Sequence, residues 1–364
     1  MHIIIVGAGL AGPLLAHGLM SAGATVSLYE REDADQPSQG FRIHIAPEGD
    51  LALRRHLPPD LYEQVLATSG KHGSGVRFLD PGLNLVHEML VPPTEDEESG
   101  RHLTVDRLTL RQILLTGVDV HHGAPFERYE LIDGGVRAHF AGGGTAEADL
   151  LVGADGTHSR VRAQLLPQAR VLETGQTEIY GKTPLTDEVR ALAPAAAIDG
   201  FCSVMGPDGR FVSLAAHEFL SGGTDYVMWV VVAPAARFPA DLAAMDKAGL
   251  AETAAAVVDD WHPSLSALVR LTDPTTVNPT TIRTAEPVPP WETVPVTLMG
   301  DAVHTMIPQG TSAAFALKDA ALLCRRITER TGPLLEAVHA YEAEMLEYGF
   351  AEVARVLRQA GEHA

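Results

Sequence analysis

The chain has 364 residues, 46% of them hydrophobic and 20% charged, so it is long enough to form two globular domains. Its 27 basic and 47 acidic residues give a net charge of −20, which argues against nucleic acid and anionic membranes as partners. No apolar segment is long enough to span a bilayer, and the N-terminus lacks the basic start of a signal peptide, so we expect a cytoplasmic protein. The two cysteines, Cys202 and Cys324, indicate neither a disulfide framework nor a metal site.

The first predicted strand, residues 2–6, runs into the turn Gly7-Ala8-Gly9-Leu10-Ala11-Gly12, and an apolar helical pattern follows to about residue 20. A strand, a G-x-G-x-x-G turn and a helix form the arrangement that binds a dinucleotide. Gly7 forms the tight turn, Gly9 leaves space for the pyrophosphate, and Gly12 lets the helix pack closely against the strand. The unpaired N–H groups and the dipole at the helix start then favour the phosphates.

A second predicted strand, residues 25–29, ends at Glu30, eighteen residues after Gly12. An acidic residue at this distance binds a ribose hydroxyl, and it would repel a 2′-phosphate. The glycine-rich turn is therefore predicted to bind FAD or NAD(H) rather than NADPH.

Strands and helices alternate through the next part of the chain. Residues 40–45 alternate as a strand does, residues 48–69 read as helix interrupted by two prolines, and residues 76–89 read as one or two strands. Residues 103–115 have the apolar spacing of a helix face. Another buried strand, residues 148–153, precedes an Asp-Gly pair.

From about residue 165 to residue 284 the pattern changes. Alternating segments such as residues 225–232 predict antiparallel sheet, and one amphipathic helix is predicted over about residues 250–269. No nucleotide-binding turn occurs here, so we interpret this region as a substrate-binding domain. Helices are then predicted over about residues 311–330 and 334–359.

Two later strand ends each offer a carboxylate beside a helix start. Asp155 lies in the segment Gly153-Ala154-Asp155-Gly156, and on its own it is better explained as a helix cap. Asp301 follows Gly300 at the end of a short apolar strand. A carboxylate at such a position can bind a ribityl or ribose hydroxyl, while the glycine permits close approach of the ligand.

Together, the glycine-rich turn with Glu30, the Asp-Gly segment and the run Gly300-Asp301-Ala302-Val303-His304 resemble the motifs of the FAD-dependent aromatic hydroxylases. These are single-component flavoprotein monooxygenases similar to 4-hydroxybenzoate hydroxylase. The resemblance implies an α/β fold in which a Rossmann-like FAD-binding domain carries an inserted antiparallel-sheet substrate domain and a C-terminal helix. The implied boundaries are residues 1–75, 101–165 and 285–333 for the FAD-binding domain, 76–100 and 166–284 for the substrate domain, and 334–364 for the C-terminal helix.

The resemblance also implies roles for the matching residues. The ADP half of FAD would contact the turn and the acid that follows it, namely Gly7, Gly9, Gly12 and Glu30. The remaining cofactor contacts would come from Gly40 near the flavin, Arg107 near the phosphates, Asp155 in the motif linked with FAD and the nicotinamide donor, and Gly300 and Asp301 at the ribityl–phosphate part. His304 is expected to be structural rather than catalytic.

The implied reaction is cofactor chemistry. NADH or NADPH reduces FAD, O₂ adds at the flavin C4a carbon, and the hydroperoxide delivers one oxygen atom to an aromatic or polyketide-like small molecule. The protein would be a monomer or a homodimer without a metal ion.

The chain departs from the family pattern after Gly300-Asp301, where relatives continue to a G-x-G-x-N stretch near the flavin ring. Here Gly310 is kept, but Ser312 replaces the second glycine and Ala314 replaces the asparagine. One interpretation is that both changes are tolerated and that the N–H groups of Ala313 and Ala314 face the flavin. The other is that flavin position, O₂ reactivity or FAD retention has changed. This second interpretation motivates the alternative function, a non-redox cyclase or isomerase with FAD structural or lost.

No catalytic side chain can be assigned from the sequence. His217 and Tyr226 are possible bases without further support. Six side chains on alternating stretches of the predicted substrate domain fit either a pocket or ordinary core, namely Tyr180, Phe201, Met205, Phe211, Met228 and Trp229.

Overall fold

The structure, a computed structural model, describes the backbone of residues 1–35, 40–91 and 98–362, and side chains up to residue 360. The strands are β1 (His2–Val6), β2 (Thr25–Tyr29), β3 (Arg42–Ile45), β4 (Gly75–Leu79), β5 (Leu85–Leu90), β6 (Leu103–Asp106), β7 (Val120–His121), β8 (Phe126–Ile132), β9 (Gly135–Phe140), β10 (Thr145–Ala148), β11 (Leu150–Gly153), β12 (Val171–Pro184), β13 (Phe201–Met205), β14 (Phe211–His217), β15 (Tyr226–Pro234), β16 (Asn278–Ala285) and β17 (Val296–Leu298). The α-helices are α1 (Ala11–Ser21), α2 (Pro47–His56), α3 (Pro59–Ala67), α4 (Arg107–Leu115), α5 (Arg160–Leu165), α6 (Asp187–Leu192), α7 (Ala195–Asp199), α8 (Lys247–Val257), α9 (Pro263–Arg270), α10 (Asp301–His304), α11 (Ser312–Thr328) and α12 (Leu334–Glu362).

A five-stranded parallel sheet with the order β17-β11-β1-β2-β7 forms the part of the molecule that carries the predicted nucleotide-binding turn, called the nucleotide-binding part below. Its central strand, β1, is buried on both faces because Ile3, Ile4 and Ile5 are all 0% exposed. The strands β1, β11 and β17 are neighbours, and their carboxyl ends lead into the glycine-rich turn, Asp155 and Gly300. Because parallel strands end at the same edge of a sheet, the fold brings the three sequence motifs together.

A seven-stranded sheet with the order β16-β12-β15-β14-β13-β4-β5 forms the second layer. Its strands pair antiparallel except β13 and β4, which run parallel. We call it the substrate sheet. Two smaller antiparallel sheets, β10-β9-β8 and β3-β6, are formed by segments of the chain between residues 42 and 148. These layers confirm the predicted α/β fold with an antiparallel insertion and a C-terminal helix.

The substrate sheet has two different faces, as strand β15 shows. Its even-numbered residues 226–232 form an apolar cluster with Phe41 and Ile307, so this is the face toward the nucleotide-binding part. Its odd-numbered residues 227–233 pack in a second cluster with side chains of helices α6–α9. Trp229 is on this helix-covered face, 0% exposed, and donates from Nε1 to Thr272 Oγ1 at 3.1 Å. Trp229 is therefore core, whereas Met228 faces the nucleotide-binding part.

Two predicted helices differ from the observed ones. The single helix predicted over residues 250–269 is wrong, since α8 and α9 are separated by residues 258–262. His262 precedes a proline, which disfavours helical backbone, and it adopts ψ 128°. The apolar spacing over residues 103–115 covers strand β6 as well as helix α4. Asp106 starts that helix because its Oδ1 accepts the N–H groups of Leu108 and Thr109.

The C-terminal helix α12 packs onto strand β17, which leads to Gly300. The Tyr341 hydroxyl donates to the Leu298 carbonyl at 2.9 Å. Glu342 accepts hydrogen bonds from Trp291 Nε1 and from the hydroxyls of Thr293 and Thr297. Within the part of the chain that the structure describes, no helix combines the length and the apolar character needed to cross a membrane.

Replacing Trp229 by alanine should destabilise the protein by about 3–5 kcal/mol, because it opens a cavity on the helix-covered face. Urea denaturation followed by circular dichroism measures this loss. The matched control is Leu131→Ala on β8, where the side chain is 53% exposed and the expected change is roughly 0.5 kcal/mol or less. Equal effects of the two substitutions would contradict the assignment of Trp229 to the core.

Candidate functional site

The three glycines of the first turn have different surroundings. Gly7 has φ +110°, and a Cβ there would lie 2.3 Å from the Ala154 carbonyl oxygen, at the end of β11. A Cβ on Gly12 would lie 2.2 Å from the Gly7 carbonyl oxygen. At Gly9, by contrast, no described atom lies within 4 Å of the Cβ position. Gly7 and Gly12 are thus required by the protein's own packing, while Gly9 borders open space of the kind that a pyrophosphate needs.

Glu30 holds the glycine-rich turn in place from the end of β2. It is 8% exposed, and its Oε2 accepts the Ala8 N–H at 2.8 Å while Oε1 accepts the Glu32 N–H at 3.1 Å. Arg111 donates from Nε to the Ala8 carbonyl at 2.6 Å and lies 3.8 Å from Glu30 Oε2. A carboxylate has about four acceptor positions, so Glu30 can still accept from a ribose hydroxyl.

Gly40 and Arg107 are brought into contact. A Cβ on Gly40 would lie 3.1 Å from both Cβ and Cδ of Arg107, and the Arg107 N–H donates to the Phe41 carbonyl at 3.1 Å. Burial lowers the pKa of Arg107, while Tyr180 and Asp301 act to raise it. Arg107 is therefore close enough to Asp301 for their charges to interact, although the two are far apart in the sequence.

Asp155 binds the first N–H groups of helix α5, while Ser159 occupies the N-cap position itself and accepts the Arg162 N–H. Asp155 Oδ2 accepts the N–H groups of Arg160 at 2.8 Å and Val161 at 3.3 Å, and burial raises the pKa of Asp155. Nearby, Arg162 donates from Nη1 to the Ala302 carbonyl at 2.9 Å and from Nη2 to the Thr157 carbonyl at 2.7 Å. Arg162 thus ties the Asp155 segment to the Gly300-Asp301 segment.

A buried carboxylate that the sequence did not single out, Asp319, fixes Gly300. Asp319 is 0% exposed, and its Oδ2 accepts the Gly300 N–H at 2.6 Å and lies 2.7 Å from His304 Nε2. The Tyr348 hydroxyl donates to Asp319 Oδ1. Burial acts to lower the pKa of His304, but Asp319 and Asp301 together oppose it and the pKa is raised. His304 is 1% exposed, as a structural residue should be.

Asp301 itself makes no side-chain hydrogen bond or ion pair within the described residues, and only its carbonyl accepts one, from Thr305 Oγ1. Burial raises its pKa, and the positive charges of His304 and Arg107 oppose that rise. Gly300 beside it has φ +59°, and a Cβ there would lie 3.0 Å from Ala316 Cβ. The arrangement presents a carboxylate without a protein partner at the start of helix α10.

The departure at Ser312 and Ala314 falls in the first turn of helix α11. The Phe315 N–H bonds to the Thr311 carbonyl at 3.2 Å, and the N–H groups of residues 312–314 make no hydrogen bond within the described chain. Ala314 is 0% exposed, and a Cβ on Gly49 of helix α2 would lie 3.2 Å from Ala314 Cβ. This close packing leaves little room for an asparagine side chain, so the change at Ala314 follows from how α2 meets α11.

A buried polar cluster joins the nucleotide-binding part to the substrate sheet. Asp106 Oδ2 accepts from Lys182 Nζ at 2.7 Å and from the Tyr226 hydroxyl at 2.8 Å. His217 lies beside Tyr226 with ring centroids 5.3 Å apart, is 0% exposed, and has no described hydrogen-bond partner on either ring nitrogen. Burial, with help from Arg42, lowers the pKa of His217 to about 4. Because Tyr226 donates to Asp106 and His217 is fully enclosed, neither candidate base is well placed to take a proton from a ligand.

Residues 1–345 match the protein family described as FAD binding domain. The chain belongs to this family. The dual O-methyltransferase/FAD-dependent monooxygenase of Cercospora beticola is 30% identical, over 94% of this chain and 44% of its own length. The 6-hydroxynicotinate 3-monooxygenase of Bordetella bronchiseptica is 29% identical, over 91% of this chain and 83% of its own length. This flavoprotein chain thus spans less than half the length of its fungal relative.

Solved structures show the same fold. A protein described as an FAD-containing monooxygenase from Photorhabdus luminescens has a TM-score of 0.87 at 30% identity, covering 99% of this chain and 97% of its own. Klebsiella pneumoniae HpxO, solved with FAD and uric acid, has a TM-score of 0.84 at 25% identity, covering 100% of this chain and 88% of its own. These similarities confirm the resemblance to the FAD-dependent aromatic hydroxylases and support FAD as the cofactor of this flavoprotein.

Two alanine substitutions in the glycine-rich turn should separate cofactor binding from folding. Gly9→Ala adds a methyl group to open space, so the free energy of unfolding of the FAD-free protein should change by roughly 0.5 kcal/mol or less. FAD affinity should fall on the order of 100-fold, about 2.7 kcal/mol. Gly12→Ala collides with the turn itself and should destabilise the FAD-free protein by about 3 kcal/mol or more. Thermal unfolding and flavin fluorescence titration measure both quantities, and normal FAD binding by Gly9→Ala would refute the placement of the pyrophosphate.

The depressed pKa of His217 predicts an acid-sensitive fold. The folded state disfavours the protonated ring, so stability is full above the usual pKa of 6.5 and falls as the pH drops toward about 4. The shift corresponds to about 3 kcal/mol. His44 and His56 have pKa values lowered to about 4 in the same way, by burial. His217→Phe should therefore reduce the loss of unfolding free energy measured by urea denaturation between pH 7 and pH 4, by about 3 kcal/mol. An unchanged pH dependence would contradict this account.

Proposed function

We propose that this flavoprotein is a monooxygenase that uses FAD, NADH or NADPH, and O₂ to insert one oxygen atom into an aromatic or polyketide-like small molecule. The observation that carries the proposal is the meeting of the three motifs at one edge of the parallel sheet, facing the substrate sheet. The names of the relatives support the reaction class. The fungal relative also favours a role in secondary metabolism.

The residues at the sheet edge fit FAD in three places. The open space at Gly9 would take the pyrophosphate, and Glu30 would accept from the adenosine ribose. Asp301 would accept from a ribityl hydroxyl, for which its unpartnered carboxylate is suited. The free N–H groups of Ala313 and Ala314 would donate to the flavin ring from the start of helix α11, where the helix dipole favours negative charge.

Four further residues would complete the cofactor site. Gly40 would allow the backbone to approach the flavin, and Arg107, packed against Gly40, would balance phosphate charge. Asp155 and Gly300 would shape the turns that border the cofactor. When bound, FAD supplies the redox chemistry by taking electrons from the nicotinamide donor and activating O₂.

The protein's own contribution would be to bind and orient the substrate and to exclude water from it. The face of the substrate sheet toward the cofactor site offers apolar and aromatic side chains for a flat molecule, among them Tyr180, Phe201, Phe211 and Met228. Hydroxynicotinate and uric acid, named for the relatives, are flat and carry ionisable oxygen groups. We therefore propose substrates of this kind, a hydroxylated aromatic or heteroaromatic ring.

The alternative, a non-redox cyclase or isomerase, was motivated by the altered stretch around Ala314. Packing against Gly49 accounts for the missing asparagine, and the N–H groups of the first turn of α11 remain available. The structure therefore favours the redox function over this alternative.

The test is oxygen transfer by the FAD-loaded protein. We expect the purified protein to bind FAD and to oxidise NADH or NADPH faster when a substrate such as 6-hydroxynicotinate or urate is added. The product should carry ¹⁸O from ¹⁸O₂ and none from H₂¹⁸O. Asp301→Ala should lower FAD affinity, while Glu173→Gln, on the exposed part of β12, should not. Product formation without O₂ and without a nicotinamide donor would overturn the proposal in favour of the isomerase.

A further inference from the structure

Glu178 lies on the face of the substrate sheet that looks toward the cofactor site. On strand β12, Tyr180 belongs to the apolar cluster with Phe41 and Ile307, and Ile179 belongs to the cluster on the helix-covered face. Side chains alternate along a strand, so Glu178 shares the face of Tyr180. Its neighbours across the sheet are Val232 on β15 and Thr280 on β16.

Glu178 is a mostly buried residue whose carboxylate has no partner among the described residues. It is 8% exposed, and it makes no hydrogen bond or ion pair with any residue that the structure describes. Asp106, Asp319 and Glu342 are also buried but have hydrogen-bond partners. Asp301, like Glu178, has no side-chain partner among the described residues. A buried charge without a partner is costly, so such a group takes up a proton near neutral pH. Burial raises the pKa of Glu178 to about 7.

No charged side chain on the adjacent strands neutralises Glu178. Its cross-strand neighbours Val232 and Thr280 carry no charge, and Arg283 farther along β16 pairs with Glu173 at 2.8 Å. On its own strand, Tyr180 is the nearest titratable group. Burial raises the pKa of Tyr180 to about 12, with a further rise from Glu178 that Arg107 opposes. Glu178 therefore lies on the face toward the cofactor site, between cross-strand neighbours that carry no charge, and Arg107 is the cation that acts on the adjacent Tyr180.

We propose that Glu178 is the general base that takes the proton from a hydroxyl group of the bound substrate, a role that rests on the monooxygenase function proposed above. The O–H bond of the substrate breaks, the proton moves to a carboxylate oxygen of Glu178, and the electron pair stays on the substrate oxygen. The resulting phenolate or enolate makes the ring carbon a better nucleophile toward an electrophilic oxygen atom. Glu178 then returns the proton to solvent between turnovers.

This assignment also defines the substrate class. A base at Glu178 is useful only for a substrate with an acidic hydroxyl, such as a phenol, a hydroxylated heteroaromatic ring or an enol. A group with a pKa near the working pH is the most effective proton acceptor, and such a group contributes about 10²–10⁴-fold to rate. His217 and Tyr226, the possible bases named from the sequence, are less suited to this role. His217 is enclosed, and the Tyr226 hydroxyl donates to Asp106.

The first test needs no substrate. Infrared titration of the FAD-loaded protein should show one carboxyl C=O band that disappears as the pH rises through about 7. The band should be absent in Glu178→Gln and retained in Glu173→Gln, a glutamate of the same strand that is exposed and paired with Arg283. If no band titrates near neutral pH, or if it persists in Glu178→Gln, the proposal is overturned.

The second test is kinetic and separates this inference from the function on which it rests. With a hydroxylated substrate, kcat/KM of the wild type should rise with pH through an apparent pKa near 7. Glu178→Gln should lower kcat/KM by about 10²-fold and lose that pH dependence, and Glu178→Asp should restore part of the rate. NAD(P)H oxidation and ¹⁸O transfer with an unchanged pH profile in Glu178→Gln would overturn the base but leave the monooxygenase intact. Absence of O₂-dependent product in the wild type would overturn both.

Discussion

A single carboxylate, that of Asp106, joins the two halves of the site. One of its oxygens accepts the first N–H groups of helix α4, and the other accepts from Lys182 and Tyr226 of the substrate sheet. Asp106 is 4% exposed, and three kinds of donor balance the cost of burying its charge. Because Arg107 is the next residue, the arginine expected at the FAD phosphates and the surface expected to hold the substrate are positioned by the same group.

Asp319 performs a similar task at the other end of the cofactor site. It connects Gly300 and His304, at the two ends of helix α10, with Tyr348 on helix α12. The last helix is thereby part of the support for Asp301, although it contributes no residue to the predicted cofactor contacts. Buried pairs of this kind add little net stability, but removing one partner leaves an uncompensated charge, which costs about 3–5 kcal/mol.

Much of the nucleotide-binding half could be predicted from the sequence, because its signals are local. The glycine spacing and Glu30 belong to one strand–turn–helix–strand unit, and the steric reasons for Gly7 and Gly12 are contacts within or beside that unit. Helix boundaries are harder to predict from the sequence where a single side chain determines them. Asp106 caps the start of α4, and the proline after His262 ends the helical backbone between α8 and α9. Neither effect changes the apolar periodicity from which helices are predicted.

Other parts of the site depend on contacts between distant segments. The Gly40–Arg107 contact, the Arg162–Ala302 link and the Asp319 hydrogen bonds join residues that no motif relates. Glu178 was missed for a different reason. A glutamate in a strand is ordinary in a sequence, and only the register of β12 and the lack of a partner distinguish it. The one available signal was its alternation with Tyr180.

The two faces of strand β15 have a consequence for how such proteins diversify. The odd-numbered residues 227–233 form the core together with the covering helices. The even-numbered residues 226–232, on the other face, border the space expected for the substrate. Substitutions on the second face can therefore alter ligand preference without emptying the core behind it. A directed-evolution library confined to these positions, and to their neighbours on β12 and β14, would explore new ligands on a scaffold whose folding is largely preserved.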